Sequence, residues 1–192
     1  MSNLFFAFIS RMKYINRWGL MHNSRYENLS EHSFETAYLA NALANIENEI
    51  FNKNYNVESI TVRALFHDCS EIITGDMPTP VKYKSAQMMG VYADAENDAK
   101  ETLISTLDPR LLKIYRSYLN YDGDDEKIIK AADKLSALIK CTEEMSIGNR
   151  DFSSAHKTIL ENLKGSELES VKYFLENILP HYSKTLDELS KA

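Results

Sequence analysis

Three side chains able to bind a metal or move a proton, His67, Asp68 and Glu71, stand in a largely apolar stretch between Arg63 and Asp76. An imidazole or carboxylate in such surroundings is costly without a partner, so the stretch asks for a ligand. From Val57 to Ile73 the chain has good helix formers and no Pro or Gly, and Gly75 follows, which predicts one helix closed by that glycine. On a continuous helix His67 and Glu71 are four residues apart and Asp68 and Glu71 three, so all three lean to one face, with Ile60 and Ala64 on the same side. An imidazole nitrogen beside a carboxylate oxygen suits a divalent cation, and Glu71, one turn on, could reach water held there.

The residues that could join this chemistry are scattered, and each has an ordinary reading beside a functional one. Phe5, Phe6, Phe8, Ile9, Met12 and Ile15 have the spacing of an aromatic helix face that packs into a core. Arg17 and Trp18 follow where that helix should end, before Gly19. Arg17 fits a surface ion pair or, with a phosphate nearby, an anion clamp. Trp18, the only tryptophan, fits a buried anchor or a stacking wall for a substrate. Ser30 is the expected N-cap of a helix running to about Glu49, with His32 in its first turn and apolar residues nearly all round after it. A lone histidine there reads as a hydrogen-bonded core or capping residue unless a partner comes from elsewhere. Pro78 and Pro80 are expected to bar a helix and stiffen the segment after Gly75, where Asp76 and Thr79 either face a ligand or close a turn. Asp133 falls mid-helix among Ile, Ala and Leu, as a surface residue paired to Lys130 or Lys134 or as a buried ligand.

The remaining segments position rather than react. Residues 85 to 119 read as one or two helices broken at Asp108-Pro109, and Asp122-Gly123-Asp124-Asp125 reads as a helix start rather than a calcium loop. From Asp151 onward come two amphipathic helices, separated near Gly165 and ended near Pro180, with His156 and His181 at the surface. Strand signals are almost absent, so the fold is expected to be all-α. The 192 residues suffice for one good core, and a single domain over residues 1 to 192 is expected. A composition 44% hydrophobic and 26% charged argues against long disorder. A net charge of −6 without a Lys/Arg cluster disfavours a nucleic-acid partner. Cys69 and Cys141 lie in predicted buried helices, which points to a reducing, cytoplasmic setting. Leu4 to Ile9 is too short for a membrane span, so no membrane partner is expected.

In order along the chain, His32, the His67-Asp68 pair and Asp133 resemble the metal-binding signature of the HD-domain phosphohydrolases. The strings Ile15-Asn16-Arg17-Trp18, Ser30-Glu31-His32-Ser33, His67-Asp68-Cys69-Ser70-Glu71, Thr74-Gly75-Asp76-Met77-Pro78-Thr79-Pro80-Val81-Lys82-Tyr83 and Lys130-Ala131-Ala132-Asp133 are closer still to the bacterial 5′-deoxynucleotidase (YfbR-like) branch. The departures are Cys69 and Ser70 within the motif, and Gly19 after Trp18 in place of a rigid proline.

The resemblance implies a single HD-domain helical bundle with a buried metal site, hydrolysing deoxyribonucleoside 5′-monophosphates to deoxynucleoside and phosphate. His32, His67, Asp68 and Asp133 would hold one divalent ion, Co2+ by family and Mn2+, Zn2+ or Fe2+ by chemistry, which polarises the phosphate and acidifies water. Glu71 would be the general acid/base and Arg17 the phosphate clamp. Trp18 would pack on the sugar and exclude a 2′-hydroxyl. Asp76 would take a hydrogen bond from the 3′-hydroxyl, with Met77, Pro78 and Thr79 beside it, and His32, Asp68 and Asp133 would also touch substrate. A homodimer is implied as well. The alternatives are an HD phosphohydrolase acting on a nucleoside triphosphate or cyclic nucleotide, a non-catalytic nucleotide-sensing module, and a purely structural helical protein.

Overall fold

The computed structural model describes residues 3–82 and 84–191, so Tyr83, the last residue of the proline-containing string, lies outside the described residues. The chain forms α1 (Phe5–Ile9), continued by a 3-10 turn over Ser10–Tyr14, then α2 (Leu29–Glu49), α3 (Val57–Leu65), α4 (Glu71–Thr74), α5 (Thr79–Lys82), α6 (Ala86–Ser105), α7 (Leu112–Leu119), α8 (Gly123–Ser146), α9 (Ser153–Lys164), α10 (Glu169–Asn177) and α11 (Leu186–Leu189). Extended pairing among the described residues is limited to one antiparallel bridge between Asn16 and Asn28. The all-α expectation is borne out.

The two longest helices, α2 and α8, pack against each other, with α3, α9 and α10 around them. Their shared core includes Leu39, Leu43, Ile60, Ala64, Ile128, Leu135, Leu138 and Phe174. A second core gathers Phe5, Met12, Leu29, Cys69, Leu103, Ile104 and Leu119 from α1, α6, α7 and their neighbours. Ala64 belongs to the first core and Cys69 to the second, so His67 and Asp68 lie on the seam between them. Burial pushes the thiols of Cys69 and Cys141 up to about 12, so neither supplies a thiolate. No helix among the described residues is long and apolar enough to cross a membrane.

Three local expectations are corrected. The cap of α2 is Asn28, not Ser30: its side chain accepts from the Ser30 and Glu31 amides while Glu31 reaches back to the Asn28 amide, a capping box that starts the helix earlier. The single helix over Val57 to Ile73 is instead α3, a tight turn and α4. His67 Nδ1 donates to the Ala64 carbonyl at 2.8 Å, taking the acceptor that the Asp68 amide would use in a continuous helix. Bonds of the i to i+3 type then carry the chain, from the Cys69 amide to Phe66 O and from the Glu71 amide to Asp68 O. Gly75 does close the segment, with φ +75° and its amide on Glu71 O. The proline segment likewise holds a one-turn helix, α5. Pro80 is its second residue, where an amide has no intrahelical acceptor to lose, and the Val81 and Lys82 amides both bond Pro78 O.

Candidate active site

His32 comes from the first turns of α2, His67 and Asp68 from the turn between α3 and α4, and Asp133 from the middle of α8. One donor atom from each lies within 4.8 Å of the others, a grouping able to hold a metal ion. His32 Nε2 is 3.1 Å from Asp133 Oδ1 and 3.5 Å from Asp68 Oδ2. Asp133 therefore pairs with His32, and the surface pairing to Lys130 or Lys134 is not what the structure holds; Lys130 bonds Glu126 instead.

The donor set fits a cation on its own chemistry. Because His67 Nδ1 donates to a backbone carbonyl, the neutral ring presents a lone pair at Nε2. That nitrogen is buried without a hydrogen-bond partner and stands 3.0 Å from Asp68 Oδ2, two acceptors that need a positive charge between them. Burial and Arg17 lower the pKa of His32, but hydrogen bonds with Asp133 and Asp68 outweigh them and raise it to about 9. Burial raises the Asp68 pKa, yet positive charge on the His67 and His32 rings holds it well below the usual carboxylate range, a charge that an ion would supply with both rings neutral. Both residues show a centre that draws positive charge, which a divalent ion supplies more fully.

Arg17, its side chain 13% exposed, stands among four carboxylates. Nη1 lies 3.3 Å from Asp68 Oδ2 and 4.0 Å from Asp76 Oδ1, Nη2 lies 4.0 Å from Asp133 Oδ1, and Nε lies 3.7 Å from Glu27 Oε2. It is not the surface ion pair that composition alone allows. Glu71 is buried, with Oε2 lacking a hydrogen-bond partner. Burial first, and then the charge of Asp68, push its pKa up to about 9. Met77 and Pro78 are half-buried and Thr79 is exposed at the start of α5. A cavity of about 930 Å3 opens on the cluster, lined by His67, Asp68 and Asp133 together with Met89, Asn97 and Lys100 of α6. Arg17 and Trp18 lie outside this lining.

Trp18 reaches the cluster through a residue that the sequence did not single out. Its indole N–H donates to Glu27 Oε2 at 2.9 Å, and Glu27 Oε1 is 3.8 Å from His32 Nδ1. The Trp18 ring packs on Phe152 with centroids 5.2 Å apart. Trp18 itself, rather than Gly19, takes the left-handed conformation, φ +59°. A bulky residue holds that conformation only where its surroundings over-determine it. Here the Trp18 carbonyl accepts from the Met21 amide and from Asn23 Nδ2, and the Arg17 amide donates to Glu27 O. The far end of the loop is pinned to α8 by Glu144, which accepts from the Ser24 amide, Asn149 Nδ2 and Lys140 Nζ.

An all-helical frame that brings one histidine, a His-Asp pair and a distant aspartate around a cation-sized gap defines a phosphohydrolase of the HD class. The fold superposes on an HD-domain phosphohydrolase from Listeria innocua with a TM-score of 0.82 at 28% identity, covering 93% of this chain and 87% of that one. Within the class, the sequence profile of the YfbR-like 5′-deoxynucleotidases matches residues 4–182, and the chain belongs to that family of phosphoric monoester hydrolases. It is 44% identical over 190 residues to a 5′-deoxynucleotidase of Pectobacterium atrosepticum, covering 97% of this chain and 96% of that protein. It is 42% identical over 189 residues to a 5′-deoxynucleotidase of Yersinia pestis, again covering 97% and 96%. A cyanophage S-2L HD phosphohydrolase, solved with dA and one catalytic Zn2+ ion, shares the fold at a TM-score of 0.65 and 19% identity, covering 91% of this chain and 95% of that one.

Proposed function

We propose that this chain, as one HD domain, hydrolyses deoxyribonucleoside 5′-monophosphates to deoxynucleoside and phosphate with the help of one divalent ion. The observation that carries the reading is the convergence of His32, His67, Asp68 and Asp133 within 4.8 Å, with the half-buried Arg17 3.3 Å from Asp68. These four residues would hold the ion. When bound, the ion supplies Lewis-acid polarisation of the phosphate and acidifies water at neutral pH.

The other steps belong to the chain's own groups. Arg17, already surrounded by carboxylates, would turn its planar fork to the substrate phosphate, a geometry that a lysine cannot reproduce. Glu71, buried with a free oxygen, moves the proton between water and the departing 5′ oxygen as the phosphorus–oxygen bond breaks. Asp76, 4.0 Å from Arg17, accepts from the 3′-hydroxyl, with Met77, Pro78 and Thr79 alongside. Trp18 walls the sugar and excludes a 2′-hydroxyl, which sets deoxyribose above ribose. The donor set of two imidazoles and two carboxylates accepts Co2+, Mn2+, Fe2+ or Zn2+, and we favour Co2+. A cytoplasmic homodimer, binding neither nucleic acid nor membrane, completes the proposal.

The test is phosphate release from dAMP, AMP, 3′-dAMP and dATP by metal-stripped protein resupplied with Co2+ or Mn2+. Metal-dependent release from dAMP alone supports the reading. Release from AMP at a similar rate removes the sugar-selectivity argument, and no release from any ester by protein shown to contain metal overturns the assignment.

A further inference from the structure

We propose that Ser136 and Glu35 are positioning residues that hold His32 in the orientation and tautomer needed for metal binding. This rests on the reading of His32 as a ligand. Ser136 is fully buried on α8, and its Oγ lies 3.1 Å from His32 Nδ1 and 2.7 Å from Glu35 Oε2. A hydroxyl has one proton, and a carboxylate can only accept. Ser136 therefore donates to Glu35 and must accept from His32, which places the imidazole proton on Nδ1. Nε2 is then the nitrogen left for a metal ion, which would take the place of the proton it shares with Asp133 and Asp68 at 3.1 and 3.5 Å.

Other groups near the ring do not replace this link. Glu27 Oε1 is 3.8 Å from Nδ1, outside hydrogen-bond range, and Thr36 Oγ1 meets the opposite nitrogen at 3.4 Å. Glu35 is itself fixed, since Tyr38 donates to its second oxygen at 2.9 Å. The geometry has a simple source in the sequence. Glu35 follows His32 by three residues on α2, and Ser136 follows Asp133 by three on α8. Each support thus lies one turn beyond its ligand on the same helix face.

His67 solves the same problem differently, giving its Nδ1 proton to the backbone carbonyl of Ala64, which no side-chain change can remove. The His32 support runs outward instead, to a pocket of about 290 Å3 that Glu35 lines with Tyr26, Phe34 and Glu143. Outer partners of this kind typically contribute about 10–100-fold in metal affinity.

The experiment compares Co2+ and Mn2+ affinity, by chelator competition and metal analysis, for wild type, Ser136→Ala, Ser136→Thr and Glu35→Leu, with the melting temperature of each chelator-treated protein. The expected result is an affinity loss of about 10–100-fold in Ser136→Ala, a loss in the same direction in Glu35→Leu, and recovery in Ser136→Thr. Melting temperatures of the metal-free proteins should change far less than the affinities. Glu35 is only half-buried, so its variant decides the matter if Ser136→Ala folds poorly. Tight binding by wild type and equally tight binding by both variants overturns the support while leaving the metal site in place. A wild type that takes up no ion overturns the site reading and the support together.

Discussion

The indole N–H of Trp18 donates to Glu27 Oε2 at 2.9 Å, and that same oxygen lies 3.7 Å from Arg17 Nε, so one carboxylate orients both neighbours. The backbone adds to this, since the Glu27 carbonyl accepts from the Arg17 amide at 2.9 Å. On the roles proposed for Trp18 and Arg17, sugar selection and phosphate clamping should then fail together when Glu27 changes. A hydrogen bond to a charged group contributes about 1.5–3 kcal/mol, or roughly 10–100-fold in kcat/KM. Glu27→Gln should lower kcat/KM for dAMP within that range, mainly through KM, and narrow the preference for dAMP over AMP. Steady-state kinetics on the two substrates checks this, and an unchanged dAMP/AMP ratio would separate Trp18 placement from Glu27.

Glu71→Gln keeps size and hydrogen-bonding capacity but cannot exchange a proton. Removing a general acid/base costs about 10²–10⁴-fold in turnover. Because Glu71 is outside the group of four metal-type donors, its loss should leave metal content unchanged. The check is kcat for dAMP against metal per chain in the same preparations, and a variant that loses metal in proportion to activity would make Glu71 a support of the ion instead.

The all-α fold was legible from the apolar patterning of α2 and α8, whereas the four-residue cluster was legible only through an order of His and Asp residues resembling that of the HD-domain phosphohydrolases, since His32 and Asp133 taken singly favour ordinary readings. The turn at His67 was not, because the bond that breaks the helix comes from the His67 side chain taking the Ala64 carbonyl, a competition that periodicity does not register. Proline at the second position of α5 misled for a related reason: a rule about helix interiors does not apply to a first turn. Glu27, Glu35 and Ser136 stayed hidden because their partners come together only in the fold. Ser136 and Glu35 are 101 residues apart, and Glu27 meets Trp18 across a loop whose left-handed residue is that tryptophan.

Acid should release the Arg17–Trp18 loop from α8. Burial raises the pKa of Glu144, but hydrogen bonds from Lys140, Asn149 and Ser24 outweigh it and hold it at about 2, below the ordinary 4.5. A depressed carboxylate stabilises the fold fully above its unfolded pKa and loses that contribution as pH falls toward its folded one. The stability advantage of wild type over Glu144→Gln should therefore be constant above about pH 4.5 and shrink as pH falls toward about 2. Urea unfolding of both proteins across that interval measures it. An advantage independent of pH would show that Glu144 acts by shape alone.

Metal removal should be visible in stability as well as in activity, because the centre places the His67 Nε2 lone pair 3.0 Å from Asp68 Oδ2. A ligand that binds only the folded state stabilises it by about 2.7 kcal/mol at a hundredfold excess over Kd. For a chain of this size each kcal/mol shifts the midpoint by about 2–4 °C, so saturating ion should raise the melting temperature by roughly 5–10 °C over chelator-treated protein. Asp133→Ala deletes one donor and the carboxylate that His32 Nε2 meets at 3.1 Å, and should abolish that rise. Differential scanning calorimetry with and without Mn2+ makes the comparison. A full rise in Asp133→Ala would place the ion away from α8 and require another residue in its place.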